Sequence, residues 1–178
     1  MTPEIYNYIL ASLVLASQIY FVFVLVSFWQ SKWGKKSDSV VSFVSSKYLW
    51  MCLAFSLAGL LGSLGYSEVI GYDPCKLCWL QRITLYPVVL LSAVALYKKS
   101  SERLYDYIIA LMLIGSIIAV YHIFLQFVPN SVDCATSGQG VMCSKNWVLI
   151  YDYITIPVMS LTAHLNVALA AIIAKSKN

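Results

Sequence analysis

Charge is what this sequence has least of. Only 11% of its 178 residues are Asp, Glu, Lys or Arg, against 60% hydrophobic, whereas soluble chains average about 25% charged and roughly 45–50% apolar residues. So little charge excludes an ordinary water-covered domain and points to lipid as the solvent. The basic start of a cleaved secretory signal is also missing: Met1–Tyr6 carries only Glu4, and no small-residue cleavage site follows Trp29. The first apolar stretch therefore reads as a retained helix. There is no visible repeat and no low-complexity tract.

What is present is a series of uncharged runs. Lipid offers no partner to backbone N–H and C=O groups, so a span of roughly 20 apolar residues must close its hydrogen bonds as a helix. Five such runs occur, at about Tyr6–Trp29, Tyr48–Tyr66, Leu77–Tyr97, Tyr107–Val128 and Val148–Ala174. The third contains Arg82 and the fifth Asp152, the latter expected to be interfacial. The expected fold class is an all-α integral membrane protein, a four-helix transmembrane bundle over 48–178 preceded by an extra transmembrane helix and a basic loop over 1–47. The Lys32–Lys47 linker, polar and serine-rich, is expected to be a solvated loop.

The formal net charge of +4 could suggest an acidic partner, but the location of the basic residues explains it. Lys32, Lys35, Lys36 and Lys47 follow the first run, Lys98, Lys99 and Arg103 the third, and Lys175 and Lys177 the fifth, while the other two connections hold only Lys76 and Lys145. The positive-inside bias then places the N-terminus outside and the C-terminus in the cytoplasm. No nucleic-acid partner is expected.

Four of the five cysteines fall at the two outward connections: Cys75 and Cys78 at the first, Cys134 and Cys143 in the second. That compartment is oxidising, so the four read first as two disulfides. Structural stapling is the bland reading. Against it, Cys75-Lys76-Leu77-Cys78 closes a very small ring, the arrangement in which thiols resolve one another and thiol pKa values fall. A four-thiolate zinc site is disfavoured by the spacing of the second pair and by the compartment. Cys52 lies within a span and behaves as a small hydrophobe.

Pro74 precedes the pair, so Cys78 is expected in the first turn of the third span, where unpaired N–H groups and the helix dipole favour a thiolate. Arg82, four residues on, shares its face. It could snorkel to headgroups; beside a C-x-x-C, a role in stabilising the Cys78 thiolate or charge on a reduced acceptor is preferred. His122 and Gln126 are also four apart, near the outward end of the fourth span. A lone histidine is more often a packed residue than a catalyst, but this one is expected at the depth of Cys78 and Arg82.

The run Cys75-Lys76-Leu77-Cys78-Trp79-Leu80-Gln81-Arg82 resembles the C-x-L-C-x-x-Q-R signature of the DsbB family, including its BdbC-like members, and His122 with Gln126 matches that family's H-x-x-x-Q. The resemblance covers roughly Tyr48–Ala174. It implies a thiol:quinone oxidoreductase of the bacterial cytoplasmic membrane, with ubiquinone or menaquinone as cofactor and a DsbA-like thioredoxin-fold oxidase as partner. By the same resemblance Cys134 takes electrons from the partner, Cys143 exchanges with Cys75, Cys78 faces the quinone ring, and Arg82, His122 and Gln126 bind the cofactor. Two departures stand out. The second loop is short, which leaves the order of exchange open, and the N-terminal helix is additional and is expected not to touch the chemistry. The alternatives are a reductase of the vitamin K epoxide reductase type and a non-catalytic protein with two structural disulfides.

Overall fold

In a computed structural model, which describes residues 3–33, 38–99, 104–128 and 142–177, the chain is helical throughout its long elements. They are α1 (Pro3–Lys32), α2 (Asp38–Ser46), α3 (Tyr48–Leu64), which runs on into a π-helical turn Gly65–Val69, α4 (Lys76–Lys98), α5 (Leu104–Phe127) and α6 (Ile156–Lys177). Five of these helices are long and apolar enough to cross a membrane, as the five runs predict. This is a multi-pass, all-α membrane protein.

Helices α3 to α6 form a closed ring in which each packs on the next and α6 returns to α3. Small side chains make this possible without any hydrophobic drive between helices in lipid: Ala168, Ala170, Ala171 and Ala174 on α6 are all buried. Helix α6 is the hub, since α1 and α2 also pack on it. Cys52 is fully buried in this core, its thiol 3.8 Å from the Val167 carbonyl oxygen.

Three expectations need correction. The Lys32–Lys47 linker is not wholly a solvated loop: Val41 and Val44, three apart on α2, are buried against the core, and burial of that one stripe outweighs the serines around it. The fifth span begins at Ile156, not Val148. Ile150 and Ile154 pair through two backbone hydrogen bonds of 3.0 and 2.9 Å, with Tyr151 and Asp152 in the left-handed region between them, so the chain turns once before the helix starts. Asp152 is thus an exposed turn residue. The third correction concerns α1 and follows with the site.

A second buried polar cluster lies deeper in the ring. His164 Nδ1 donates to the Ser160 carbonyl oxygen at 2.7 Å, and its Nε2 lies 3.0 Å from Thr84 Oγ1. Gly115 on α5 makes room for this imidazole: a Cβ there would fall on the ring and on Thr84 Oγ1. Gly115→Val is therefore expected to destabilise the folded protein by about 1–3 kcal/mol through overpacking, measured as a fall in thermal midpoint in detergent. An unchanged midpoint would show that the ring can move aside.

Candidate active site

Pro74 ends the first connection and Cys75 caps α4 in an extended conformation, which leaves Cys78 at the third helical position. The Cys75 thiol points at Cys78, Sγ to Sγ 3.4 Å. That hydrogen bond, with burial second, pushes the Cys75 thiol up to about 12, so near neutral pH Cys75 keeps its proton and presents it to Cys78.

His122, 2% exposed, reaches across from α5. Its Nε2 lies 3.1 Å from the Cys143 carbonyl oxygen and 3.7 Å from Cys75 Sγ, while Nδ1 lies 3.0 Å from Gln81 Nε2. A carbonyl only accepts, so Nε2 carries the proton, and the neutral ring accepts from Gln81 at Nδ1. His122 thereby ties the second loop to the dithiol. A ring nitrogen of His122 and the two sulfurs lie within 4.8 Å of one another, close enough for a soft cation too, but a metal at Nε2 would have to displace the Cys143 bond.

Arg82 does not snorkel. It is 6% exposed, and its Nε donates to Ser63 Oγ at 2.7 Å while Nη2 donates to the Ser63 carbonyl oxygen at 2.8 Å and to Ser67 Oγ at 3.0 Å. Ser63, in the last turn of α3, and Ser67, in the π-helical turn that follows, form the cradle, and the guanidinium also lies 5.0 Å from the Trp79 ring centroid. Among the described residues Nη1 has no partner.

Cys75, Cys78, Arg82, His122, Gln126 and Cys143 all line one small cavity on the loop side. Cys134 lies outside the described residues. The aromatic series Tyr66, Tyr72 and Trp147 stacks over this end at 6.0 and 4.8 Å, with Lys145 Nζ 3.5 Å above the last ring. Gln126 Oε1 is buried without a hydrogen-bond partner. Gln81, Ser63 and Ser67 carry no role in the sequence reading; nothing in spacing alone says that Gln81 faces α5 or that two serines on another helix hold Arg82.

A second, larger cavity of about 350 Å³ lies between α1, α3, α4 and α6. Cys78, Arg82, Ser63, Tyr66 and Ile156 line both cavities, whereas Cys75 lines only the loop-side one of the two. The dithiol therefore stands between two compartments, with Cys78 common to both. Leu10, Leu13, Val14 and Ser17 of α1 border the larger cavity, so the added helix, expected to lie clear of the site, is part of it. Its Leu10 packs near Gly62, and Tyr6 closes on Gly65, where any Cβ would collide with the phenol.

The sequence model of the family described as "Disulfide bond formation protein DsbB" matches residues 46–174. The chain belongs to the DsbB family. Among its relatives, disulfide bond formation protein C of Bacillus subtilis (strain 168) is 34% identical over 116 residues, 65% of this chain and 83% of its own length. The SPbeta prophage-derived disulfide bond formation protein B of the same strain is 39% identical over 116 residues, 64% and 76% of the two chains. A probable disulfide formation protein of Chlamydia pneumoniae is 33% identical over 124 residues, 70% and 88%. No solved structure matches the chain. The DsbB match takes in the ring α3–α6 and both cysteine connections and leaves out α1. This chain is a disulfide bond formation membrane protein.

The larger cavity is also a fair fit for a quinone, a flat ring with two carbonyl oxygens and an apolar tail. Its volume is in the range of small-molecule sites, its walls are mostly apolar, a sulfur and a guanidinium share one end, and Tyr86 Oη, on a residue that lines it, is buried without a partner.

Proposed function

We propose that this protein is a thiol:quinone oxidoreductase that reoxidises an extracytoplasmic thioredoxin-fold dithiol oxidase, with the cysteine end of the bundle facing out of the cytoplasm and the lysine-rich end facing in. The observation that carries this is the position of the dithiol: Cys75 opens only toward the loop and Cys143, and Cys78 opens also toward the apolar cavity beside Arg82. A staple has no need of such a division. Residues 48–178 are the redox domain on this reading, and 1–47 the added helix with its basic loop.

The exchange runs in balanced steps. A reduced partner dithiol gives two electrons and two protons to the Cys134–Cys143 disulfide, leaving the partner oxidised. The loop dithiol then opens the Cys75–Cys78 disulfide: Cys143 bonds to Cys75, Cys78 leaves as thiolate, and Cys134 displaces Cys75 to restore the loop disulfide. His122 Nε2–H, held by Gln81 behind it, positions the Cys143 segment beside Cys75. Cys78 is left next to Arg82, whose charge stabilises the sulfur anion in a site poor in water. A bound quinone supplies the two-electron, two-proton acceptor that returns Cys75 and Cys78 to the disulfide.

Among the described residues that line the larger cavity, Arg82 Nη1 and Tyr86 Oη are donors free to serve the quinone's oxygens. Tyr86→Phe separates two accounts of the orphaned hydroxyl. A purely structural phenol would be relieved of a buried unsatisfied group, leaving quinone kinetics alone; a donor to the quinone, the outcome expected here, raises the quinone KM by about tenfold with the thermal midpoint unchanged or higher. The reading as a whole is tested by anaerobic turnover. Purified protein supplied with a reduced thioredoxin-fold oxidase is expected to form one quinol per partner disulfide, and disulfides that persist while no quinol appears would return the protein to the stapling account.

A further inference from the structure

The cavity beside Cys78 has a wall that the family match does not include. Three of its walls are α3, α4 and α6, and the fourth is α1, which precedes the matched residues 46–174. On α1 the lining residues Leu10, Val14 and Ser17 fall at helical spacing on one face and are half-buried, and Leu13, 62% exposed, stands beside them.

This face is held in register rather than loosely laid on the bundle. Gln18 Nε2 donates to Thr162 Oγ1 at 3.1 Å and its Oε1 accepts from Tyr153 Oη at 2.7 Å, while Asn166 Nδ2 donates to the Ser17 carbonyl oxygen at 3.4 Å. At the cysteine end Tyr6 Oη donates to the Gly62 carbonyl oxygen at 3.2 Å, with its ring edge-on to Tyr66 at 5.2 Å. Polar pins at Tyr6 and at Ser17–Gln18, on either side of Leu10 and Val14, keep α1 on α6 and across from α3, leaving the slot between them unfilled.

The slot is also too long for a ring alone. Along α4 the lining runs from Cys78 to Tyr86 and along α3 from Ser63 to Ala54, on the order of 12 Å at the helical rise. The reacting sulfur and the guanidinium occupy only the Cys78–Arg82 end; beyond them the lining is mostly apolar, broken by Tyr86, Ser17 and Ser160.

We propose that α1 is the fourth wall of an isoprenyl-quinone slot, and that Leu10, Val14 and Ser17 contact the first part of the tail and set which tails the site admits. This deepens the quinone reading and rests on it. Without α1 that side of the slot would open to lipid, and the ring would be held by its polar end only.

The direct test is photolabelling. The full chain in nanodiscs is irradiated with an isoprenyl quinone bearing a diazirine on its first isoprene unit, and labelled peptides are mapped by mass spectrometry. Label is expected within Leu10–Ser17, competed by unlabelled isoprenyl quinone and lost in Val14→Trp. In steady state Val14→Trp is expected to raise the KM for the isoprenyl quinone about tenfold and to leave that for a tail-free quinone unchanged, and Ile19→Trp, on the exposed face of α1, to change neither. Label confined to α3, α4 and α6, or equal KM changes for both quinones, overturns the role of α1 and leaves the quinone site standing. Label on Val14 from a diazirine phospholipid that isoprenyl quinone does not compete makes the slot a lipid groove and overturns it as well. If no segment of the chain takes competed label and wild type forms no quinol, the quinone reading itself has failed.

Discussion

Cys78→Ser is expected to lower thiol-driven quinone reduction by about 10³-fold or more, while the protein accumulates a Cys75–Cys143 disulfide. The two effects have one cause. Cys78 is the sulfur common to both cavities, so without it electrons can reach Cys75 but have no route onward. In the variant a hydroxyl replaces the Cys78 sulfur that most raises the Cys75 pKa, and a hydroxyl can donate to a Cys75 thiolate as well as accept from its thiol. That thiolate attacks the Cys134–Cys143 disulfide, joining Cys75 to Cys143 and releasing Cys134 as a thiol, and no second thiol at position 78 resolves the product. Non-reducing peptide mapping after alkylation reads both. Retained turnover, or a Cys78→Ser protein that merely melts earlier, would return the pair to a structural role.

Arg82→Leu is the second large effect, about 10²-fold in kcat/KM for the quinone, and it is expected without a matching loss of stability. Arg82 is buried with its charge, a position that costs free energy in a membrane bundle, and its partners Ser63 and Ser67 are not stranded when it goes. Ser67 Oγ already lies 3.4 Å from the Ser63 carbonyl oxygen, and a helix serine can bond back to its own carbonyls. Turnover and thermal midpoint should therefore part company. Arg82→Lys keeps the charge but cannot reproduce the fork that spans Ser63 and Ser67, and is expected to recover only part of the rate. A parallel fall in midpoint and rate in Arg82→Leu would mean that the arginine holds the bundle together.

The spans were legible because their signal is local: a run either carries charge or does not. The redox pair was legible for the same reason, since C-x-x-C followed by Arg82 at helical spacing needs no knowledge of the rest of the fold. What escaped depends on which face of one helix meets which of another. Gln81 gains meaning only once α4 and α5 bring it to His122, and Ser63 and Ser67 only once α3 brings them to Arg82. His164 did carry a usable sign, an ionisable residue in an apolar span, with Gly115 opposite it. Helix α2 was hidden because its buried stripe is two valines in a serine-rich segment, and α1 because its site-facing residues are as apolar as its lipid-facing ones. Position 134 is known from sequence alone, so its part in the relay rests on the family's pattern.

The central claim is an order of events, and a single-turnover rapid-quench experiment tests it most directly. Oxidised protein loaded with quinone is mixed anaerobically with a reduced thioredoxin-fold oxidase, quenched with acid and alkylated, and the redox state of each cysteine pair is read by mass spectrometry beside the quinol formed. The account predicts that Cys134/Cys143 is reduced first, that Cys75 and Cys143 are transiently joined, and that quinol appears only as Cys75/Cys78 passes through the dithiol. Quinol that appears while the Cys75–Cys78 disulfide stays intact would contradict it.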